Sequence, residues 1–291
     1  MRTILMALAL PLLLSMQPEK PEKPAYIIYD SKGEEVPYSA MTEQLLEYDV
    51  VFFGELHNDP IAHWLQRELT MSLHASRGER LTIAMEMFET DNQLLLDEYL
   101  SGKIRETNFE SEAKLWRNYQ TDYKPVVLFA KENSLRVIAS NVPRRYAAIV
   151  AAGGFEALEQ LGEESLKYIA PLPFDYDPEL PSYKRMLTMV GGAMGSHANE
   201  NLPKAQALKD VTMAWAIASN YREGDMVLHI NGSYHSNHHE GIVWYLKREM
   251  PELKIAVINQ VLQGDISALE EQHKDSADFV IVVPATMTRT Y

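Results

Sequence analysis

The chain alternates short apolar runs with longer stretches in which apolar residues recur every three or four positions. Val50-Val51-Phe52-Phe53, Leu81-Thr82-Ile83-Ala84-Met85 and Met226-Val227-Leu228-His229-Ile230 have the length and composition of strands buried on both faces of a parallel sheet. The pattern predicts strand 48–54, helix 60–76, strand 81–86, helices 92–101 and 108–117, helix 123–133 and strand 136–141. From Pro143 to about Tyr221 the strand signal vanishes, and Gly153-Gly154, Pro171-Leu172-Pro173 and Gly191-Gly192 break the stretch into helices. Alternation resumes with strand 226–231, helix 240–250, strand 254–259 and a last strand 279–283. Strands alternating with helices argue for right-handed βαβ units, so the expected fold is α/β, a parallel sheet flanked by helices with a smaller inserted α-helical domain. Residues 25–142 and 222–291 would form the α/β part and 143–221 the insert, with a peripheral hairpin over 25–36.

The N-terminus adds a separate signal. Met1-Arg2-Thr3 followed by the apolar run Ile4 to Leu14 has the layout of a secretory signal peptide over residues 1–16, too short to span a bilayer as a mature helix. A Pro/Lys/Glu spacer covers 17–24. The expectation is an exported protein, periplasmic or envelope-associated, with no transmembrane span in the mature chain. The chain has no cysteine, which removes disulfides, thiolate metal ligands and anchoring as a cysteine-linked lipoprotein. A formal charge of −14 argues against a nucleic-acid partner, which needs clustered Lys and Arg.

The candidate chemistry sits where strands end. Gly-x-x-His occurs as Gly54-Glu55-Leu56-His57 and as Gly232-Ser233-Tyr234-His235, each directly after a predicted strand. In an open parallel sheet ligands bind outside the carboxyl ends of the strands, so two distant histidines can meet in one pocket. Glu86 ends the second strand, and an unpaired charge there would be costly, so it needs a partner. Glu55, His57, Glu86 and His235 make a ligand set suited to a divalent transition metal that ionises water for hydrolysis. Asn141 and Arg144 would lie beside them, and Gln206 and Asp210, on one face of helix 204–216, would support a ligand histidine. The bland alternative for Glu86 is an ion pair with Arg144 or Arg145. Among the other histidines, His229 reads as a hydrogen-bonded core residue, His238 and His239 as a solvated helix start, and His63, His74 and His273 as exposed.

The helical block carries Tyr146, Tyr176, Tyr183, Met186, Met189, Met194 and His197. Apolar walls with one strong axial ligand are what haem requires, and ordinary helical core explains the same stripe.

Phe53-Gly54-Glu55-Leu56-His57, Met85-Glu86-Met87-Phe88, Asn141-Val142-Pro143-Arg144, Lys209-Asp210-Val211-Thr212-Met213-Ala214 and Gly232-Ser233-Tyr234-His235 with Gly241-Ile242 together resemble the ChaN-like family of haem-binding, iron-regulated proteins, over roughly residues 45 to 285. The resemblance implies haem acquisition or storage at the bacterial cell envelope, a homodimer with two stacked haems, and a tyrosine on iron, for which the order of candidates is Tyr183, Tyr146, Tyr176 and then His197. It favours a haem-binding protein over an enzyme. The wider superfamily, with Tiki and TraB-type proteins and erythromycin esterases, keeps open a metal-dependent hydrolase or peptidase built on the two Gly-x-x-His motifs.

Overall fold

The computed structural model describes residues 23–194 and 200–291. The signal-like segment, most of the spacer and His197 lie outside the described residues. In chain order the elements are β1 (Ile27–Asp30), α1 (Tyr38–Leu45), β2 (Val50–Glu55), α2 (Pro60–Arg77), β3 (Leu81–Glu89), α3 (Gln93–Leu100), α4 (Glu106–Glu112), α5 (Lys124–Glu132), β4 (Arg136–Asn141), α6 (Arg144–Gly153), α7 (Glu163–Leu166), α8 (Pro181–Met194), α9 (Asn201–Asn220), β5 (Met226–Gly232), α10 (Ile242–Glu249), β6 (Ile255–Gln263) and β7 (Phe279–Pro284).

The strands form one sheet in the order β1-β7-β6-β2-β5-β3-β4. Every pairing is parallel except that of β1 with β7. The hairpin expected over 25–36 forms, through an antiparallel bridge of Tyr29 with Glu35 and the Val36 amide donating to the Ile28 carbonyl at 2.8 Å, but it is not peripheral: its first strand is the antiparallel edge of the main sheet, held there by burial of Ile28 and Tyr29 and by the Tyr29 hydroxyl donating to the Ile266 carbonyl at 2.6 Å. Continuous apolar strands follow from coverage on both faces. One face packs Val51, Phe53, Ile83 and Ile230 under α2 and α5 residues such as Leu65, Leu69 and Val127; the other packs Phe52, Val227 and Val257 under Val211, Met213 and Ile217 of α9 and Leu246 of α10.

The block 143–221 is helical as expected, but α9 is part of the sheet's own cover. It makes the return crossover from β4 to β5, while α6 and α8 pack on it. Two local expectations fail. The helix expected over 108–117 stops at Glu112, where Ala113 turns extended, and Tyr119–Tyr123 form a π turn ahead of α5. The strand expected to end at Glu86 runs on to Glu89 through a register shift against β4 between Met85 and Glu89, a bulge that re-aims the side chains beside it.

Because β5 inserts between β2 and β3, the chain leaves neighbouring strands at one edge in the three segments that carry the candidate residues. Gly54 is opposite Asn231, and Glu55 opposite Gly232.

Candidate functional site

The two Gly-x-x-His motifs interlock, and each glycine has its own steric reason. A Cβ on Gly54 would lie 2.9 Å from the Ser233 Cα and 3.1 Å from the Ile258 carbonyl oxygen, so a side chain would force the strands apart. A Cβ on Gly232 would lie 2.7 Å from both Cε1 and Nε2 of His57. The glycine of the second motif is thus the floor on which the histidine of the first one rests.

His57 is half-exposed and bonds through Nδ1 to Glu55 Oε1 at 2.9 Å, while its ring meets the edge of Trp116 at 4.8 Å between centroids. Glu55 is fully enclosed: the Tyr123 hydroxyl donates to Oε1 at 2.7 Å, Gln66 Nε2 donates to Oε2, and His63 Nδ1 lies 3.3 Å from Oε2. Burial pushes the Glu55 carboxyl up, but bonds from His57 and His63 outweigh it and hold the group down at about 2. Both imidazoles are raised in turn, since the carboxylates overcome the discharging effect of burial.

On the other side of the cleft Glu86 accepts the Gly232 amide at 2.7 Å and lies 3.3 Å from His235 Nε2. His235 Nδ1 contacts Asp210 Oδ1 at 2.5 Å, and the Tyr183 hydroxyl donates to Asp210 Oδ2 at 2.9 Å. Gln206 Nε2 stands 2.9 Å from His235 Nδ1. Burial would discharge His235, but the flanking carboxylates of Glu86 and Asp210 prevail and raise it to about 9. Glu86 is driven below its ordinary value by His235 and His57 despite burial, whereas burial wins at Asp210 and raises it.

The cavity at this edge encloses about 370 Å³ and is lined by His57, Glu86, Trp116, Asn141, Arg144, Lys209 and His235, among others. Each imidazole is anchored through Nδ1 by a carboxylate and both line the same space, His235 with its Nε2 on Glu86, so the pair can exchange protons with the carboxylates around it. Among the described residues no group of three or more His, Asp or Glu side chains is disposed to hold a metal ion. Glu55 pairs with His57 and Glu86 with His235, so each carboxylate already has an imidazole partner. Arg144 is mostly exposed and pairs at 3.6 Å with Glu89; Arg145 pairs at 2.6 Å with Asp91, so neither supplies the ion pair weighed for Glu86. Asn141 reaches the cavity with a buried Oδ1 that has no hydrogen-bond partner.

Several residues escaped the sequence reading. His63, expected to be exposed, is 5% exposed and bonded to Glu55 and Asp122. Asn118, Asp122 and Tyr123 come in through the π turn, with Asn118 Nδ2 donating to the His57 carbonyl at 3.0 Å. A signal existed: Asp59, His63, Gln66 and Thr70 form a stripe of polar residues at helical spacing on the buried face of α2. His229 is a core histidine as read, bonded to Ser140 at 3.0 Å and Asn231 at 2.9 Å, and burial lowers it to about 4.

The tyrosines proposed for iron sit in a different layer. Tyr183 is 1% exposed, with its hydroxyl committed to Asp210. Tyr146, on α6, is buried under the Arg145 guanidinium, which donates to its hydroxyl at 3.1 Å. Tyr176 alone of the three keeps its ring half-exposed, 5.2 Å from Phe155 and 5.6 Å from Tyr183 between centroids. Leu180, Phe155 and Trp244 supply apolar wall there, while Lys184 and Arg185 on α8 are already paired, with Glu179 and, at 3.2 Å, with Glu240. A phenolic oxygen beside an apolar surface fits haem in donor chemistry.

The fold has relatives. The solved structure of ChaN from Campylobacter jejuni, described with cofacial haem binding, superposes with a TM-score of 0.69 at 20% identity, covering 89% of this chain and 97% of that one. An erythromycin esterase shares 10% identity at a TM-score of 0.46, over 88% of this chain and 83% of its own. The chloroplast protein RETICULATA-RELATED 5 of Arabidopsis thaliana is 22% identical over 237 residues, 74% of this chain but 31% of that protein, so the chain spans about a third of that curated relative. The profile of the family described as haem-binding uptake, Tiki superfamily, ChaN matches residues 41–246. That match takes in both Gly-x-x-His motifs, Glu86, Asp210 and the tyrosine-bearing helical layer, and by it the chain belongs to the ChaN-like haem-binding family.

Proposed function

We propose that this protein binds haem and serves in haem or iron acquisition or storage at the bacterial cell envelope, as a homodimer of an exported chain. The family match over residues 41–246 carries this reading, and the phenol-rich layer around α8 supports it. Haem there would take a tyrosine on iron, from Tyr183, Tyr146 or Tyr176, or His197, which lies outside the described residues. The test is a titration of purified protein with hemin. A saturable Soret band is expected, and its position should shift in one of Tyr183→Phe, Tyr146→Phe or Tyr176→Phe. A spectrum that never saturates removes the reading. Sedimentation with and without hemin tests the dimer, and processing of the chain in a bacterial host tests export.

The strand-end cleft favours a second reading, hydrolysis with His57 and His235 as proton carriers. The observation behind it is the pair of imidazoles, each anchored by a buried carboxylate and both lining one cavity. A divalent transition metal in that reading requires Glu86 and the two histidines to exchange their present partners for the ion. Elemental analysis of protein purified without chelator decides that part.

A further inference from the structure

The segment that follows β7 returns to the mouth of the strand-end cleft. Met287 packs against the core face under α2 and α5, and the chain beyond it is tied to the two loops that frame His57. Arg289 forms an ion pair with Asp59 Oδ2, a carboxylate 0% exposed whose Oδ1 caps α2 by accepting the amides of Ile61 at 3.0 Å and Ala62 at 3.3 Å. The Thr290 amide donates to the Asn58 carbonyl at 3.0 Å, and the Asn58 side chain donates to the Tyr291 backbone oxygen at 3.3 Å. The Tyr291 ring lies under the Arg117 guanidinium, 3.9 Å from its centroid. Asn58 and Asp59 directly follow His57; Arg117 sits between Trp116, whose ring meets that of His57, and Asn118, which donates to the His57 carbonyl.

We propose that residues 287–291 are a strap clamping the β2–α2 loop to the 113–118 loop, which makes Arg289 and Tyr291 positioning residues for His57. Neither touches the cavity; they act on the loops that hold the imidazole over Gly232. The 113–118 loop is irregular chain between α4 and the π turn and has no ladder of its own. A cation stacked on an aromatic ring and a buried charge-assisted pair are the two kinds of contact that fix such loops at little cost in chain length. The inference concerns the cleft and holds whether or not haem binds the helical layer.

Hydrogen exchange and imidazole modification in the full chain test it. In Arg289→Ala and Tyr291→Ala, peptides covering 56–62 and 113–118 are expected to exchange several-fold faster, with peptides from β6 and α10 unchanged. Diethyl pyrocarbonate should acylate His57 faster by a similar factor. Arg289→Lys keeps the charge beside Asp59 and should restore most of the protection, which general destabilisation would not. Arg117→Ala, made from the opposite side of the stack, should reproduce the Tyr291→Ala pattern if that variant proves hard to prepare. Unchanged exchange at both loops, or loosening spread evenly over the sheet, overturns the proposal.

Discussion

Alanine at Gly54 and at Gly232 adds the same atom to the same motif position, yet the two changes should fail differently. At Gly54 the new methyl meets backbone on two sides, Ser233 Cα at 2.9 Å and the Ile258 oxygen at 3.1 Å, so relief requires parting β2 from its neighbours inside a closed core. Overpacking of that kind costs about 3 kcal/mol, the upper end of the usual range. At Gly232 the obstacle is the far end of the His57 ring at 2.7 Å, and that side chain is 37% exposed, so it can swing outward. The stability cost there should be about 1 kcal/mol, mostly the forfeited bond to Glu55. Denaturant titration reads the difference, and thermal melts should separate the variants by roughly 4–8 °C, at about 2–4 °C per kcal/mol for a chain of this size. A double-mutant cycle sharpens the test. In a His57→Ala background the cost of Gly232→Ala should fall toward zero, while that of Gly54→Ala stays whole. Equal costs for the two glycines, or no coupling between Gly232 and His57, would refute the interlocked geometry.

Four further outcomes follow from the same network. Glu86→Gln keeps an acceptor for the Gly232 amide but strips His235 of one of its two carboxylates, and should cost about 3 kcal/mol, as removal of a partner from a buried pair does; a loss under about 0.5 kcal/mol, the range of an ordinary surface change, would mean the pair is not formed. His235, raised from 6.5 to about 9, contributes stability that is fully present below pH 6.5 and fades as pH climbs through 9, so denaturation midpoints should fall across that window and the slope should flatten in His235→Gln. Glu55, held at about 2 against 4.5, works in the opposite sense, its contribution being present above pH 4.5 and lost toward pH 2, which acid titration of Glu55→Gln against the parent protein checks. Tyr183→Phe removes one donor from Asp210 and should cost about 1 kcal/mol, measured by the same denaturant series.

Apolar runs made the central strands legible, since β2, β3 and β5 are buried on both faces and show it as unbroken hydrophobicity. His57, Glu86 and His235 were legible because strand ends place polar residues where a parallel sheet has its crevice, and Asp210 because it shares a helix face with Gln206. Three things were hidden. β1 is short, and nothing in Tyr26-Ile27-Ile28-Tyr29 says that it joins a strand more than 250 residues later. The π turn at 119–123, which brings Asn118, Asp122 and Tyr123 to Glu55, has no composition of its own. His63 was misread because a histidine in a helix looks solvated until its stripe with Asp59, Gln66 and Thr70 is noticed.

The insertion of β5 between β2 and β3 also decides when the cleft can exist. Leu81 pairs with Met226 and Val50 with Val227, so these ladders close loops of well over a hundred residues. Contacts of such sequence separation form late, because their closure entropy is met before they return any stabilisation. Until β5 arrives, β2 and β3 present bare inner edges, and His57 has neither the Gly232 floor nor His235 across from it. Docking of β5 and completion of the site are therefore one event. An unfolded or partly threaded chain carries both histidines but no cleft.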